Sequence, residues 1–371
     1  MSDFPVLRNT ILLAAALTCL SGMVQLAVAV ATVTLVLVTG VEGILGLGPA
    51  IFLVTSALAA LPAGRAMDRF GRIPVLATGF LAGIAGAAVT GLGCATVQAP
   101  LVVVGFALVG AAMGIVLLAR AAAGDMYPPE RRARGISLVL FGAVFGALLG
   151  PLLFRPLFAG KELDTDALVV PWLAAAGIMV IGLVLVLCVR PDPRHVALVL
   201  GAGPDVRPPE RAAPLRAILA RPGMLTPLLA ALASFAVMVA VMNLTGYVMV
   251  GHGHDEVDVF PVISGHIVGM YGLVLVVGDL VERIGRRGAV VGGLVVMAVS
   301  TATVGWATSS LATGVALFGL GLGWSVSYVA ATADLIDRAA PAERGRLIGF
   351  SDLVSGLSGA GLALLGGVVY S

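Results

Sequence analysis

A few charged side chains stand inside long apolar stretches of this sequence, where an ionised group is energetically costly. Asp352 lies just inside the last such stretch, in GFSDLVSGLSGAG, and Arg120 lies near the end of an earlier one. A carboxyl group in apolar surroundings can exchange a proton, and a buried arginine can hold a carboxylate. We therefore take Asp352 as a candidate proton carrier or gating residue, with an ion pair to a loop arginine as the alternative.

Other charged residues could join Arg120 in a gate. Asp125 follows Arg120 in sequence, and Asp334 and Asp337 occupy a corresponding place late in the chain. Carboxylates that face an arginine across a gap form charge-assisted hydrogen bonds, which can close a passage or release it. The alternative for Arg120 is that its long side chain extends to the nearest water.

Two uncharged polar residues stand deep in apolar stretches. Gln25 lies in the middle of the first stretch, and Asn243 lies in the stretch that begins near residue 223. Hydrogen-bonding groups at such positions suit a central binding cavity, although they can equally hold two helices together. The sequence leaves both interpretations open.

Methionine and histidine side chains cluster in the later part of the chain. Met238 and Met242 share a helix face, and His266 follows in the next apolar stretch. A methionine surface suits varied hydrophobic ligands, and plain apolar packing is the alternative. His252 and His254 make a soft or borderline metal ion a minor alternative as cargo, and we expect no resident metal and no cofactor.

The elements that carry these residues are predicted to be membrane-spanning helices. Of the 371 residues, 59% are hydrophobic and 11% are charged, against roughly half and a quarter in soluble domains. An open strand would leave its backbone groups unpaired in lipid, so apolar stretches of about 20 residues cross a bilayer as helices. Eleven spans are predicted, at 11–39, 44–64, 73–94, 99–123, 135–158, 167–189, 223–250, 260–281, 288–308, 311–333 and 347–370.

The charge distribution predicts orientation and excludes some functions. With the N-terminus in the cytoplasm, 19 of the 22 lysines and arginines lie in cytoplasmic segments, the side that basic residues prefer. A net charge of +2 argues against nucleic-acid binding. The only lysine, Lys161, follows no phosphate-binding loop, and no catalytic constellation is present, so we expect neither an ATPase nor another enzyme.

A motif of the form G-x-x-x-[DE]-R-x-G-R occurs twice, 214 positions apart, and the segments 128–135 and 341–349 repeat with an offset of 213. A shared offset predicts a duplicated half-molecule, with a six-helix half at 1–189, a cytoplasmic linker at 190–222 and a second half at 223–371. The linker sequence PLRAILAR could form a short basic helix on the membrane surface or stay flexible. The motif residues are Gly64, Asp68, Arg69, Gly71 and Arg72 in the first copy and Gly278, Glu282, Arg283, Gly285 and Arg286 in the second.

The first copy resembles the G-x-x-x-D-R-x-G-R-R signature of the major facilitator superfamily, with Ile73 in place of the final arginine. A weaker copy in the second half is typical of that family. The resemblance implies an all-α membrane fold in which two parallel six-span repeats enclose a midplane cavity. The acid of each motif can face a neighbouring helix N-terminus, which would make the loop a latch between sliding helices. Ordinary basic residues of cytoplasmic loops are the alternative, which explains the arginines but not the spacing.

Span five carries Gly142, Gly146, Gly150 and Pro151, a spacing that permits close helix approach. The pattern resembles the G-x-x-x-G-P element of drug/proton antiporters of the same superfamily. The two glycines that complete the element are absent here. Close packing without any connection to antiport is therefore the alternative.

The resemblance implies a secondary active transporter of the bacterial inner membrane. The expected activity is proton-coupled export of small hydrophobic or amphipathic compounds by alternating access, by a chain that acts as a monomer in the lipid bilayer. A symporter or uniporter for uptake of a metabolite is the main alternative, and a metal-ion exporter or a membrane scaffold is a weaker one. Phe106 stands where many proton-driven exporters have an arginine, so the resemblance does not identify the proton carrier.

The length of the chain fits this plan except at its end. With the 214-residue offset, position 371 corresponds to the end of span five. A counterpart of span six is then expected at about 381–403. The sequence therefore predicts eleven spans, with the twelfth missing and the C-terminus outside.

Overall fold

The computed structural model describes residues 5–41, 47–158, 164–201, 213–251, 262, 265–307 and 309–370. Across these ranges the chain forms helices joined by short turns, with no β-strand. In chain order the α-helices are α1 (Val6–Thr39), α2 (Leu47–Phe70), α3 (Arg72–Ala95), α4 (Ala99–Leu117), α5 (Ala119–Asp125), α6 (Arg132–Phe158), α7 (Thr165–Leu187), α8 (Pro193–Gly201), α9 (Leu215–Leu219), α10 (Leu225–Gly251), α11 (Val274–Ile284), α12 (Arg286–Trp306), α13 (Ser310–Arg338) and α14 (Arg344–Tyr370). A 3₁₀ turn (Pro129–Arg131) precedes α6, and a π-helical turn (Val268–Gly272) precedes α11.

Local sequence decides where several helices begin and end. Asp164 caps α7, because its carboxylate accepts a hydrogen bond from the backbone N–H of Ala167 at 2.7 Å. Gly71 separates α2 from α3 with a φ of 101°, and Gly285 separates α11 from α12 with a φ of 80°. Residues with a side chain rarely adopt such angles. The two motif glycines therefore let the chain reverse within a single residue.

Eight of the described helices are long and apolar enough to cross a membrane, judged by length and composition. They correspond to the predicted spans one to four, six, seven, nine and ten. The other three predicted spans fall on helical segments as well, and the total of eleven stays a prediction. Large apolar side chains such as Leu152, Val276 and Leu311 are exposed on the outside of the bundle. An apolar exterior is what lipid contact requires.

Packing between the helices joins the early and late parts of the chain. Helix α1 packs against α6 and α7, and α3 packs against α4 and α7. Later in the chain, α10 packs against α13 and α14, and α12 packs against α13. The contacts of α2 with α14 and of α6 with α11 connect the helices before residue 190 to those after residue 222. The charged motifs lie at these two contacts.

The connection between α7 and α10 contains more helix than the sequence predicted. Helix α8 begins at Pro193, directly after Asp192, in a region that was expected to be linker. Helix α9 forms within PLRAILAR, where the sequence left a helix and a flexible segment open. Ile218 on α9 is buried against the bundle. Both helices lie at the end of the bundle that carries the motif loops.

Candidate functional site

Four charged residues, Asp68, Arg72, Asp125 and Arg344, form a network that we call the first latch. Asp125 accepts hydrogen bonds from Arg72 Nε at 2.7 Å and from Arg344 Nη1 at 2.8 Å. Arg72 Nη1 also lies 3.6 Å from Asp68 Oδ1. None of the four side chains is more than 7% exposed. A buried network of this kind is held together because each charge has an opposite partner.

Asp68 fastens the first latch to the N-terminus of α14. Its two carboxylate oxygens accept hydrogen bonds from the backbone N–H groups of Gly345 and Arg346, both at 2.8 Å. The first N–H groups of a helix lack partners within the helix and carry partial positive charge, so a carboxylate is favoured at this position. Asp68 on α2 thus binds the first turn of a helix from the later part of the chain.

A second network, which we call the second latch, consists of Glu282, Arg286, Asp337 and Arg132. Asp337 accepts hydrogen bonds from Arg132 Nη1 and from Arg286 Nε, the latter at 3.2 Å. Glu282 Oε2 accepts a hydrogen bond from Arg286 Nη1 at 2.8 Å. Glu282 Oε1 accepts one from the backbone N–H of Ala133 at 2.7 Å, in the first turn of α6. The second latch therefore repeats the arrangement of the first.

The two latches are related by the internal repeat. Each residue of the second latch stands 212 to 214 positions from its counterpart in the first latch. Their exposure differs, since the side chains of Glu282, Arg286 and Asp337 are 17%, 16% and 24% exposed. Water competes more effectively for charges in the second latch. The same motif has thus formed one buried and one partly exposed network.

The motif glycines bring the helices of each latch into close contact. A Cβ atom added at Gly64 would lie 2.1 Å from the backbone oxygen of Gly345. At Gly278 the nearest atom would be Ser137 Oγ, at 2.8 Å. Ser137 Cβ and Arg134 Cα follow at 2.9 and 3.0 Å, so the approach is closer at Gly64 and the requirement for glycine is stricter there.

Five of the predicted charged gating residues lie outside both networks, and two of these, Arg120 and Asp352, pair with each other. Arg69 is exposed and its guanidinium lies 5.1 Å from the ring centroid of Phe70. Arg283 is exposed beside the second latch. Asp334 accepts a hydrogen bond from Arg338, one turn later on α13, at 2.8 Å. Of the two predicted acids on α13, only Asp337 is therefore the counterpart of Asp125.

The connection between α7 and α10 covers the first latch from one side. Asp192 accepts hydrogen bonds from the backbone N–H groups of Arg72 and Ile73, at 3.1 and 2.9 Å, and so caps α3. Helix α8 packs against α5, the helix that ends at Asp125. This cover adds to the burial of Arg72 and Asp125.

A bidentate ion pair ties the end of the same connection to the loop before α14. Arg221 donates hydrogen bonds from Nη1 and Nη2 to the two oxygens of Glu343, at 2.6 and 2.8 Å. Burial alone would raise the pKa of the Glu343 carboxyl. Hydrogen bonds from Arg221 and from the backbone N–H groups of Ala213 and Ala340, with the charge of Arg221, lower this pKa below its ordinary value.

Arg120 and Asp352 form a buried ion pair deeper in the bundle, which we call the central pair. Arg120 Nη2 lies 2.5 Å from Asp352 Oδ1, and the Tyr328 hydroxyl donates to the same oxygen at 3.4 Å. The Arg120 side chain is 1% exposed and that of Asp352 is 12% exposed. The pair joins α5 to α14, so Arg120 neither extends to water nor binds Asp125.

The central pair is incompletely hydrogen-bonded, in contrast to the first latch. Within the described part of the chain, Arg120 Nε and Asp352 Oδ2 are buried and have no hydrogen-bond partner. The hydroxyl of Ser355, one turn along α14 from Asp352, has none either. Unpartnered buried polar atoms are costly, and a functional role of the group is one explanation for them.

Aromatic rings form a row next to the central pair. The Arg120 guanidinium lies 5.0 Å from the ring centroid of Tyr328. Trp324 also stacks on Tyr328, with its ring centroid 5.0 Å from that of Tyr328 and an interplanar angle of 17°. Tyr271 and Phe235 extend the row, with centroids 5.8 Å from Trp324 and 6.1 Å from Tyr328, respectively. We call these four residues the aromatic row.

A small cavity lies beside the central pair. Its volume of about 30 Å³ is enough for one or two waters and too small for an organic substrate. The wall is mostly apolar and is contributed by α2, α4, α10 and α14, which come from both sides of the 190–222 connection. The lining residues are Leu53, Ser56, Ala57, Ala60, Gly114, Leu117, Phe235, Asp352, Ser355 and Gly356.

The remaining predicted cavity residues lie away from this wall. Gln25 is half-buried on α1, and Met238 and Met242 belong to an apolar cluster around α10 and α13. His266 is buried, with Nδ1 2.8 Å from the backbone oxygen of Leu317. Asn243 lies on α10, but its side chain is outside the described residues. None of the first four lines the cavity beside the central pair.

The glycines of span five pack against α1. A Cβ atom added at Gly142 would lie 2.0 Å from the backbone oxygen of Ala14, and one at Gly146 would lie 2.4 Å from Ser21 Cβ. Thr18 on α1 also donates a hydrogen bond to the backbone oxygen of Gly142 at 2.8 Å. Gly150 and Pro151 continue the same helix. The motif therefore allows close contact between α1 and α6.

The histidine-based metal hypothesis rests mainly on residues outside the described part of the chain. In that part of the chain no group of three or more His, Cys, Asp or Glu side chains could hold a metal ion. His252 and His254 lie outside the described residues.

Sequence reasoning missed the aromatic row and Ser355. Trp324 and Tyr328 are four positions apart on α13, and Asp352 and Ser355 are three apart on α14, so each pair shares a helix face. Aromatic residues are few in this chain, at 6% of the sequence. An aromatic pair with helical spacing in a glycine-rich span was the signal that could have identified them.

Comparison with known proteins gives the same architecture. An uncharacterised MFS-type transporter of Bacillus subtilis (strain 168), YdeG, is 32% identical over 337 residues, covering 89% of this chain and 78% of YdeG. The riboflavin transporter RfnT of Brucella anthropi is 28% identical, covering 82% of this chain and 74% of RfnT. The crystal structure of the human organic anion transporter MFSD10 (TETRAN) is 17% identical and superposes with a TM-score of 0.77, covering 99% and 94% of the two chains.

The family model that describes the Major Facilitator Superfamily matches residues 8–363, nearly the whole chain. This match agrees with the all-helical bundle and with the two latches at related positions. The function of that family is transport across membranes rather than enzymatic catalysis. The chain therefore belongs to the major facilitator superfamily and is a multi-pass membrane transporter.

Proposed function

We propose that this transporter is proton-coupled, carries small amphipathic organic compounds, and works as a monomer by alternating access in the bacterial inner membrane. The observation that carries the proposal is the central pair. Arg120 and Asp352 are buried and come from the two sides of the 190–222 connection, and Asp352 lines a small cavity. Charges inside a membrane bundle are costly and usually serve transport.

Proton coupling follows from the charge balance of the central pair. The ion pair is neutral while Asp352 is ionised and bound to Arg120. Separating the two groups would leave two unpaired charges in an apolar interior, which is strongly unfavourable. A proton on Asp352 removes one of those charges and weakens the bond to Arg120. We therefore propose Asp352 as the proton carrier and Arg120 as the group that responds to it.

Alternating access would then be a rocking of residues 1–189 against residues 223–371. The two latches hold these halves together at one end of the bundle, which we propose is the cytoplasmic end. Opening that end requires both latches to separate while the opposite end closes. Rocking of this kind around a midplane site is the mechanism of transporters built from internal repeats.

The substrate class is supported by the surroundings of the central pair. Apart from Asp352 and two serines, the cavity wall is apolar, and the aromatic row adjoins it. A compound with an apolar body and a single polar or charged group fits such a wall. The riboflavin cargo of one relative supports an organic cargo with an aromatic ring system.

The direction of coupling follows from the positive charge of Arg120. A substrate that binds Arg120 displaces Asp352, which must then take up a proton, so substrate and proton would move together as in a symporter. The second candidate is export by antiport, which is supported by the packing of Gly142 and Gly146 against α1 in the antiporter-like element.

Transport into sealed proteoliposomes under an imposed pH gradient tests this proposal. Substrate accumulation accompanied by proton movement in the same direction supports symport, whereas opposite movement supports antiport. A panel of aromatic acids, amines and neutral amphiphiles covers the proposed class. Absence of proton-coupled flux for every compound in the panel would contradict the proposal.

A further inference from the structure

We infer that the central pair and the aromatic row form the binding site of a small aromatic carboxylate, which binds together with one proton. This inference rests on the proposed function, because it names the substrate of the same site. In this site Arg120 binds the carboxylate of the ligand. Phe235 and the neighbouring aromatic rings contact the ring of the ligand.

The guanidinium of Arg120 offers an unused edge for a carboxylate. Its Nη1 donates to the backbone oxygen of Leu117 at 2.9 Å, and its Nη2 donates to Asp352. Nε has no partner in the described part of the chain, and it lies on the same edge of the group as Nη2. Arginine binds carboxylates most strongly through two parallel hydrogen bonds from one edge. Asp352 uses only one of the two, so a ligand carboxylate can bind this edge more completely.

The surroundings of this edge favour an aromatic body on the ligand. Tyr328 and Trp324 are buried and stacked, whereas Phe235 is half-buried and lines the cavity. Apart from Ser56 and Ser355, the rest of the wall near Asp352 is apolar, with Leu53 and Leu117 among its residues. A ring held against Phe235 gains aromatic contact in addition to apolar burial. A sugar, in contrast, would leave several hydroxyl groups without partners on this wall.

The exchange at the site conserves charge. In the ligand-free state the positive charge of Arg120 is balanced by the ionised Asp352. When a monocarboxylate takes both donors of the Arg120 edge, the bond from Nη2 to Asp352 breaks and one proton adds to the Asp352 carboxylate. The site then contains one guanidinium, one ligand carboxylate and one neutral carboxyl group. The net charge is zero before and after, so one proton accompanies each anion.

The protonated Asp352 has new hydrogen-bond partners within reach. Ser355 Oγ is buried, has no partner among the described residues, and lines the same cavity as Asp352. The cavity also has room for a water. The Tyr328 hydroxyl, at 3.4 Å, is the other titratable neighbour of this carboxyl group. The cavity must widen to admit a ring, which requires the central pair to separate.

Isothermal titration calorimetry on the full chain in lipid nanodiscs tests the inference, with benzoate as the probe. Titrations at pH 7 in two buffers of different ionisation enthalpy give the number of protons taken up per bound anion. We expect saturable binding with close to one proton taken up. Benzyl alcohol and benzylammonium lack the negative charge and should bind more weakly than benzoate by a factor of at least about 30. Cyclohexanecarboxylate lacks the aromatic ring and should bind several-fold more weakly.

Substitutions in the central pair separate its two roles. Arg120→Gln should weaken benzoate binding about 30-fold or more, whereas Arg65→Gln, which removes an exposed arginine elsewhere, should not. Asp352→Asn should keep benzoate binding and abolish proton uptake. The matched control Asp279→Asn, at a half-exposed acid, should keep both. The result for Asp352→Asn is the number of protons taken up per bound anion. The test therefore stays decisive even if Arg120→Gln does not fold.

Three results would overturn the inference: tighter binding of benzylammonium than of benzoate, benzoate binding without proton uptake, and equal affinity for cyclohexanecarboxylate. Its failure is distinguishable from failure of the proposed function. If benzoate does not bind while proton-driven flux of another compound still needs Asp352, only the substrate class is wrong. If benzoate binds with a proton but no proton-driven flux occurs, the site stands and the proposed function fails.

Discussion

The two latches have the same chemistry but differ in how far they are removed from water. In the first latch Asp125 binds two arginines and is 1% exposed, whereas its counterpart Asp337 also binds two arginines but is 24% exposed. The strength of an ion pair depends on its surroundings more than on its partners. A repeated motif therefore does not imply two equivalent contacts.

The difference has a structural cause and a consequence for opening. The connection between α7 and α10 covers the first latch. In this connection Asp192 accepts a hydrogen bond from the first turn of α3, and Arg221 binds Glu343. In the described part of the chain, no similar segment covers the second latch. We expect the second latch to separate more easily, so the contact of α6 with α11 should open before that of α2 with α14.

The largest expected effect follows from neutralising the central acid of each latch. Asp125→Asn leaves Arg344 buried without its acidic partner and leaves Arg72 with Asp68 alone, at 3.6 Å, which should lower the free energy of unfolding by about 3–5 kcal/mol. The matched variant Asp337→Asn should lower it by about 1 kcal/mol, because water can solvate the released arginines. Unfolding titrations in mixed detergent micelles measure both values. Equal losses would contradict the proposed difference between the latches.

A smaller effect is expected from filling the space at the motif glycines. Gly64→Ala places a methyl group against the backbone oxygen of Gly345 and should lower the free energy of unfolding by about 1–3 kcal/mol. Gly278→Ala meets Ser137 Oγ at 2.8 Å, Ser137 Cβ at 2.9 Å and Arg134 Cα at 3.0 Å, all less close than the contact at Gly64, so the loss should be smaller. The same titration compares the two variants. A larger loss for Gly278→Ala would show that the second contact is the tighter one.

The smallest effect concerns the segment that covers the first latch. The pKa of Glu343 is lowered in the folded protein, so its pair with Arg221 contributes fully above about pH 4.3 and is lost as pH falls through the lowered pKa. Because Arg221 is partly exposed, Glu343→Gln should lower the free energy of unfolding at pH 7 by about 1 kcal/mol or less. It should also flatten the acid side of the stability profile. An unchanged profile would show that this pair does not hold the cover in place.

The residues of the latches that lie close together in the sequence could be predicted. The repeated motif identified Asp68 and Glu282 with their arginines, because motif spacing survives duplication. The choice between Asp334 and Asp337 could not be made in advance, since the two acids are three positions apart and only the helix rotation of α13 decides which faces α6. Helix α8 was missed because its proline-rich and arginine-rich surroundings suggested a linker. Asp192 before Pro193 is nevertheless a common helix start.

The central pair shows the limit of sequence reasoning more clearly. Asp352 and Arg120 were each recognised from the cost of burying a charge. Their pairing was not predicted, because 232 positions separate them and only the packing of α14 near α5 brings them together. The aromatic row was missed for the same reason, since its members come from α10, α13 and the π-helical turn before α11.

The central claim is that Asp352 carries the coupled proton, and one comparison in proteoliposomes tests it directly. For the wild-type chain and Asp352→Asn, substrate exchange across the membrane is measured at equal pH, and substrate accumulation is measured under an imposed pH gradient. We predict that Asp352→Asn retains exchange, because Arg120 still binds the substrate. The variant should lose accumulation, because asparagine cannot take up the proton that couples substrate movement to the pH gradient. Accumulation at the wild-type level in Asp352→Asn would contradict the account.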